Sequence, residues 1–430
     1  MATLHEYARS MSTVRHVLEK DPAAADRVHV VTSFADADFV LRSKEFTVLT
    51  AEDGYSRDVS DPVLGDTLSR VDGPIHFERR RIEAALFRSP TMRANEASVL
   101  RPALERALAE LRNSQGTGPL RADLHHISEQ VLGEIVAALI GLDGLDTPEG
   151  RAKFDTYYQD IDNGVRISWA TEDIERLAAA AATALDRLVE DFVKPAADRR
   201  AGLLEAVAVG DAEPDAVPTD LITLMLEHHD SYAGIDEKLM AREIALFVTA
   251  SITTLTNQLC YCVHHIEEWI AQHPEDEGRR TDGRFLSRAL QESIRLHAGP
   301  VLMRKATSDQ VLPSGERVPG GHYAWVVIRQ ASQDPGVFGA DAESFNPYRE
   351  ISAGALPYGV EFGVGRHTCI GKRFALGDDP EDPDALNGAG VTVMRRLYEE
   401  GMRLDPGAPR TFVPELLDVH ASAPINLSGR

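Results

Sequence analysis

The sequence predicts a mainly α-helical protein with small β regions, an α+β chain and not a doubly wound sheet. Three observations carry this. Between about His76 and Lys194 the apolar residues recur at helical spacing almost throughout. A second helical run follows an acidic, proline-punctuated loop and contains the longest apolar stretch, "IALFVTASITTLTNQLCYCV". Beyond residue 300 the character changes to short strand-like pieces joined by Ser-Gly and Gly-Gly turns.

Taken in order, "RVHVVTSF" reads as a strand and "ADADFVLRS" as a short helix, so a first β-containing portion spans about 28–45. The polar stretch "LTAEDGYSRDVSDPVLGDTLSRVDGP" is too long and too rich in Gly, Asp and Ser for a tight connection. Loops of that length are usually functional or disordered. Helices are expected at "FERRRIEAALF", "LRPALERALAELRN", "LHHISEQVLGEIVAALIGL" and "DIERLAAAAATALDRLVEDFV". After the loop "AVAVGDAEPDAVPTD" they resume with "LITLMLEHH" and the long "EKLMAREIALFVTASITTLTNQLCYCVHHIEEWIAQ". "FLSRALQESIRLHAGP" is the last helix before a second β portion, about 300–330. An irregular segment, a cysteine-bearing loop, the helix "GVTVMRRLYEEG" and a strand-like tail complete the chain, with no repeat of fixed period.

A length of 430 residues suits one large domain or two ordinary ones. The formal net charge of −23 argues against nucleic acid and anionic membranes as partners, since both are bound through basic patches. The N-terminal segment carries charges throughout and has no apolar signal core, and polar residues break the longest apolar stretch, which reads as a buried helix and not a membrane span. Three cysteines make no disulfide framework, so a reducing cytoplasmic location is expected. Cys260 and Cys262, two apart on a helix, read as core packing.

The third cysteine sits in "FGVGRHTCIG", Phe362 to Gly371. A zinc site needs a second cysteine at short spacing, which is missing, and His367 is poorly placed as a base for a nucleophilic Cys369. An axial thiolate to haem iron accounts for the glycines too, because they let backbone pass close to a porphyrin with amide N–H groups aimed at the sulfur. At this point the chain resembles the cytochrome P450 family, whose haem signature Phe-Gly-x-Gly-x-His-x-Cys-x-Gly is matched at every fixed position. "ESIR" (Glu292 to Arg295) is similar to the family's Glu-x-x-Arg helix, and "FNPYR", ending at Arg349, to the segment that completes a buried ion network with it. "DGPIHFERRR" resembles the family's Asp-x-Pro-x-His-x-x-x-Arg segment, and Arg304 falls where a further arginine is placed. The resemblance spans roughly residues 28 to 425 and implies a single P450-like domain over 1–430, with the cysteine-ligand loop at 362–371.

What the resemblance implies is specific. Haem b would be ligated by Cys369, flanked by Phe362 and Gly371, with His76, Arg80, Arg304 and His367 matched to its two propionates. Glu292, Arg295 and Arg349 would form the structural network. The substrate pocket would include Ala250, Val301, Leu302, Met303 and the long loop after Phe46, favouring a fairly apolar small molecule. An external electron donor of ferredoxin or flavodoxin type is the expected partner. The long helix departs from the family pattern Ala/Gly-Gly-x-Asp/Glu-Thr: in "TASITT", aligned on Thr253, the acid position is Ile252. Thr253 is then the expected catalytic hydroxyl, and proton delivery falls to Ser251, water or substrate. The leading expectation is a monooxygenase, with oxidative coupling, nitration or peroxygenation as alternatives, and an inactive recruitment protein as an alternative of another class. Five acids and two prolines between Gly377 and Asp384 suggest an exposed insertion beside the cysteine loop, over 377–388.

Overall fold

The computed structural model describes residues 26–49, 63–116, 118–165, 174–232, 236–297, 299, 301–382, 385–414 and 418–428. Residues 50–62 of the long polar loop, expected to border the substrate pocket, lie outside the described residues.

Helices dominate, and local sequence explains where they begin. Ser33 caps α1 (Phe34–Arg42) by accepting from Asp36 N–H. Asp72 caps α2 (Gly73–Glu83), with proline inside its first turn. These are the residue types that satisfy orphan amides at a helix start. The long helices α3 (Arg101–Gln115), α4 (Leu124–Ile140), α5 (Pro148–Val165), α6 (Ile174–Leu188) and α7 (Lys194–Val209) follow. α4 stops at Gly141 and α7 at Gly210, both left-handed (φ 97° and 83°), a conformation cheap only for glycine. α8 (Glu237–Gln272) is capped by Asp236 and α9 (Gly283–Leu296) by Asp282. α10 (Lys372–Leu376) follows the cysteine loop, and α11 (Ala389–Glu399) closes the helical part.

α8 is the organising element, packing against α4, α5, α6, α9 and α11. By length and composition it is the one helix among the described residues apolar enough to cross a membrane, yet 67% of its most apolar window is buried in protein. Cys260 and Cys262 on it are both buried and free. The helical core is one continuous apolar cluster, with Leu132, Leu259, Leu290 and Met394 at 0% exposure.

The β portion is small. Strands β1 (Val28–Val31), β2 (Phe46–Thr47), β4 (Leu302–Ala306) and β7 (Tyr323–Val326) form a sheet in the order β1-β7-β4-β2, while β3 (Leu120–Asp123) belongs to a second sheet. β1 and β7 are parallel; the other pairs of the first sheet are antiparallel. β5 (Gln310–Val311) and β6 (Arg317–Val318) form a hairpin. β8 (Arg403–Leu404), β9 (Thr411–Phe412), β10 (His420–Ser422) and β11 (Pro424–Leu427) make up the strand-like tail. β11 lies between β3 and β8, tying the tail back to the start of α4. A second apolar cluster joins the first sheet and α1 to Val360 and Val364 of the cysteine loop. The loop is therefore held by the sheet as well as by the helices. The expected β run to residue 330 stops early, because Ile328–Ser332 forms a short helix.

Candidate functional site

The segment around Cys369 is a closed loop. The Cys369 N–H donates to Phe362 O at 2.6 Å, and Thr368 N–H and hydroxyl both donate to Gly365 O. Gly365 has φ 76°, and a Cβ there would sit 2.9 Å from Leu41 O and 3.1 Å from Arg42 Cα, both backbone of α1. The close approach explains that glycine. A Cβ on Gly371 would come into van der Waals contact with the Cys369 sulfur, at 3.9 Å. Burial pushes the thiol's pKa up, while the backbone N–H groups of Gly371 and Lys372 and the charge of Arg80 pull it down. Cys369 is exposed and helps to line a cavity of about 300 Å³.

The facing wall of that cavity is α8, through Phe247, Ala250, Ser251, Thr254, Leu255 and Gln258. These positions repeat at three- and four-residue intervals, one stripe of the helix. Ala250 is where the sequence placed it. Thr253 is not: it is 4% exposed, and its hydroxyl bonds the Tyr158 hydroxyl of α5, on another face of α8. The hydroxyl on the cavity belongs to Thr254, one residue on, and Ser251 supplies a second. A helix advances about 100° per residue, so a register error of one moves a side chain off the face. Read on Thr254, the acid position falls to Thr253, and no carboxylate stands there in either register.

Val301, Leu302 and Met303 do not line the cavity. Leu302 and Met303 enter β4, paired with Val326 and Trp325, and Leu302 packs on the sheet's apolar cluster. The pull of the sheet takes them away from the cavity wall.

A cationic group converges at one end of the cavity. His76 and His367 stack with ring centroids 4.0 Å apart. His76 Nδ1 and His367 Nε2 are buried without a hydrogen bond, although His367 Nε2 lies 3.3 Å from Asp72 Oδ1. Arg304, 7% exposed, hydrogen-bonds the Met303 carbonyl, and Arg80 lines the cavity beside His76. Arg366, which the sequence reading passed over, bridges Phe46 O and Asp72. Burial is the main cause that lowers the pKa values here: His367 falls to about 4, helped by His76 and Arg304, and Arg304 to about 10. Such a set, with His76 Nδ1 unpartnered, fits an anionic group in the cavity. Two haem carboxylates match that chemistry.

Outside the cavity, Glu292 holds two arginines. Its carboxylate accepts from Arg295 Nε and Nη2, each at 2.7 Å, from Arg349 Nε at 2.9 Å and from Asn346 N–H at 3.2 Å. Arg295 also donates to Ser332 O, and the Ser332 hydroxyl accepts from Val360 N–H at the root of the cysteine loop. The three residues named from sequence thus form one buried network continuous with the loop.

Glu361 was also missed, and only its place beside the decapeptide could have signalled it. It is the one carboxylate among the described residues lining the cavity. Its Oε2 accepts from Gly299 N–H at 2.8 Å, and burial pushes its pKa up to about 7. The acidic insertion is pinned down by its own pairs: Arg373 with Asp378 and Arg288 with Glu381, each at 2.6 Å. Arg288, Asp378 and Glu381 border a surface groove of about 690 Å³, shared with Lys372 and Tyr358.

A thiol loop over an apolar cavity, facing the central helix of a mainly helical fold, defines the class. The cytochrome P450 family model matches residues 25–377, and the chain belongs to that family. The chain is similar to the bifunctional cytochrome P450/NADPH–P450 reductase 2 of Bacillus subtilis, 28% identical over 40% of this chain and 18% of that protein. It is also similar to human cytochrome P450 4F2, 27% identical over 45% of this chain and 42% of that protein. The chain thus matches less than half the length of these curated relatives. A Streptomyces melanosporofaciens relative, cyclooctat-9-en-7-ol 5-monooxygenase, is 26% identical over 36% of this chain and 38% of that protein. In fold, substrate-free CYP109E1 of Bacillus megaterium superposes with a TM-score of 0.69 at 18% identity, covering 99% of this chain and 100% of that one. CalO2 gives 0.68 at 18% identity, over 96% and 97%.

Proposed function

We propose that this chain is a single-domain haem-thiolate monooxygenase acting on a fairly apolar small organic molecule. The observation that carries the reading is Cys369, which lines a largely apolar cavity with a basic group at one end. Haem b fits: Cys369 would hold the iron, with Phe362 and Gly371 flanking it, while His76, Arg80, Arg304 and His367 would take the propionates. Bound haem supplies the iron at which dioxygen is reduced and activated. The chain's own residues do the rest. Leu246, Phe247 and Leu255 exclude water and favour an apolar substrate, and the Ser251 and Thr254 hydroxyls hold water and pass protons at the wall of α8. The Streptomyces relative, named as a monooxygenase of cyclooctat-9-en-7-ol, supports a substrate of this kind.

Electrons would come from an external ferredoxin- or flavodoxin-type donor in the cytoplasm. The experiment is a carbon-monoxide difference spectrum of the reduced holoprotein, native against Cys369→Ser, followed by a screen of apolar compounds for shifts of the haem band. A thiolate-type band that survives Cys369→Ser would overturn the assignment.

A second reading rests on one observation. The cavity face of α8 carries hydroxyls and no acid, whereas general acid catalysis by a positioned group contributes roughly 10²–10⁴ in rate. Oxidative coupling, nitration or use of peroxide needs less from that wall. Product formed per reductant consumed separates the readings: tight coupling of reductant to an oxygenated product supports the monooxygenase.

A further inference from the structure

One buried ionic cluster is built from residues other than those named for haem. Glu83 at the end of α2 and Glu243 in α8 are both 0% exposed, with Arg79 (5%) and Tyr232 (1%) beside them. The Tyr232 hydroxyl donates to Glu83 Oε1 at 2.8 Å, and the Arg79 guanidinium lies 5.1 Å over the Tyr232 ring. Arg79 Nη1 is 3.5 Å from Glu243 Oε1. Glu83 Oε2, Glu243 Oε2 and Arg79 Nε are buried without a hydrogen-bond partner. Two buried carboxyls thus stand near one guanidinium, Glu243 paired with it and Glu83 held by the Tyr232 hydroxyl.

Among the described residues, the cluster's remaining bonds go to one stretch of backbone. Glu243 Oε1 accepts from Leu68 N–H at 2.9 Å, and Arg79 Nη1 donates to Asp66 O at 2.6 Å. Arg242, next to Glu243 on α8, lies under Gly65, where a Cβ would come 2.2 Å from its guanidinium. Leu68 and Ser69 line the cavity, as do His76 and Arg80 of α2. The segment 65–69 is therefore a wall of the ligand cavity fastened to α8 at residues 242 and 243 and to α2 at Arg79.

We propose that Glu243, with Glu83 buried near it, is a positioning residue that clamps the Leu68–Ser69 wall of the cavity onto α8, so that ligand binding weakens when both carboxyls are ionised. Burial, then each other's charge, raises the Glu243 carboxyl well above the usual range. Burial likewise raises Glu83, to about 7. Arg79, Arg80 and the Tyr232 hydroxyl oppose the rise at Glu83, and Arg79 and the Leu68 N–H oppose it at Glu243. The groups facing the pair are thus Arg79 and Arg80 from α2 and Tyr232 from the turn His229–Tyr232, with Arg242 adjacent on α8. One ionised carboxyl is balanced by Arg79. A second puts two negative charges against one guanidinium at low local dielectric. A raised folded-state pKa gives a contribution that is present at low pH and lost as pH rises through it. The clamp therefore loosens on the alkaline side.

The proposal rests on the cavity being the haem and ligand site only for its second readout. The first is amide exchange of the peptide covering residues 63–72 in the holoprotein without added ligand, corrected for intrinsic rates and compared with a peptide from α4. Between about pH 6 and 8.5, protection of the first peptide is expected to fall about tenfold relative to the second, the equivalent of one pKa unit. Glu243→Gln keeps an oxygen for the Leu68 N–H and is expected to flatten that dependence, and Glu83→Gln likewise. The second readout is the dissociation constant of a phenyl-substituted imidazole by difference spectroscopy, expected to rise with pH more steeply in the native protein than in either variant. Equal slopes for native and variant proteins overturn the proposal. Should neither variant fold, native protection at 63–72 that tracks the α4 peptide across the range overturns it equally. Failure of the imidazole to perturb the haem band, with the exchange result intact, would count against the cavity reading and leave the clamp standing.

Discussion

Replacing Glu292 by alanine is expected to destabilise the protein by about 3–5 kcal/mol, the range for removing one partner of a buried pair. The structure shows which charge is stranded. Arg349 keeps Asp341 at 2.8 Å and the carbonyls of Phe338, Asp341 and Ser344. Arg295, with its side chain 0% exposed, keeps only neutral partners, Ser332 O at 2.9 Å and Ala342 O at 2.6 Å. Its guanidinium loses both bonds that neutralised it, so most of the loss falls on Arg295. A double variant, Glu292→Ala with Arg295→Met, removes the stranded charge and is expected to be less destabilised than Glu292→Ala alone. The assay is urea unfolding of all variants, with haem content of the purified protein as a second measure, because Ser332 links Arg295 to Val360 at the root of the cysteine loop. If Glu292→Ala unfolds within about 0.5 kcal/mol of native, the scale of an ordinary surface change, the network is not a stranded-charge system. A double variant worse than the single would refute the assignment to Arg295.

Three further outcomes are expected. Thr254→Val should lower product per reductant consumed while Thr253→Val leaves it unchanged, since only Thr254 lines the cavity; the reverse order would return the distal hydroxyl to Thr253. Gly365→Ala should lose haem on gel filtration, because the new methyl would meet the α1 backbone and the left-handed conformation adds about 1–2 kcal/mol of strain; full haem retention would show that the two segments can separate. For Glu361, whose pKa is raised from 4.5 to about 7, the linked stability is present below about pH 4.5 and lost as pH climbs to 7. Glu361→Gln should therefore match the native protein in acid and exceed it at pH 8 by up to about 3 kcal/mol, measured as apoprotein unfolding against pH; parallel pH curves would mean that Glu361 is ionised in the fold.

Much of this was legible in the sequence, for physical reasons that differ by site. The cysteine loop was readable because its glycines answer to local constraints, as the left-handed backbone and tight approach at Gly365 show. Glu292, Arg295 and Arg349 were readable because an i,i+3 pair among apolar neighbours must find a partner to be buried. The α8 register was not readable to one residue. "TASITT" offers hydroxyls at adjacent positions, and which one meets the cavity is decided by the packing of Tyr158 against Thr253. Val301 to Met303 were misplaced because an apolar run suits a pocket wall and a sheet equally, and pairing with β7 decided it. The Glu83–Glu243 cluster was invisible, since its members lie 160 residues apart and each alone looks like a solvated helix charge.

The ion pairs of the acidic insertion have a consequence for encounter rates. Arg288 and Arg373, which would otherwise present positive charge beside the groove, are occupied by Glu381 and Asp378. The molecule as a whole carries a formal charge of −23. An acidic electron carrier approaching this face is then repelled at long range, and of the groove's basic side chains Lys372, bonded to the neutral Tyr358 hydroxyl, is left to attract it. Added salt, which shortens the Debye length to about 8 Å at physiological strength, screens that repulsion. Association with such a carrier should speed up as ionic strength rises, whereas oppositely charged pairs slow down. Any carrier that docks quickly at low salt must bring its own positive patch.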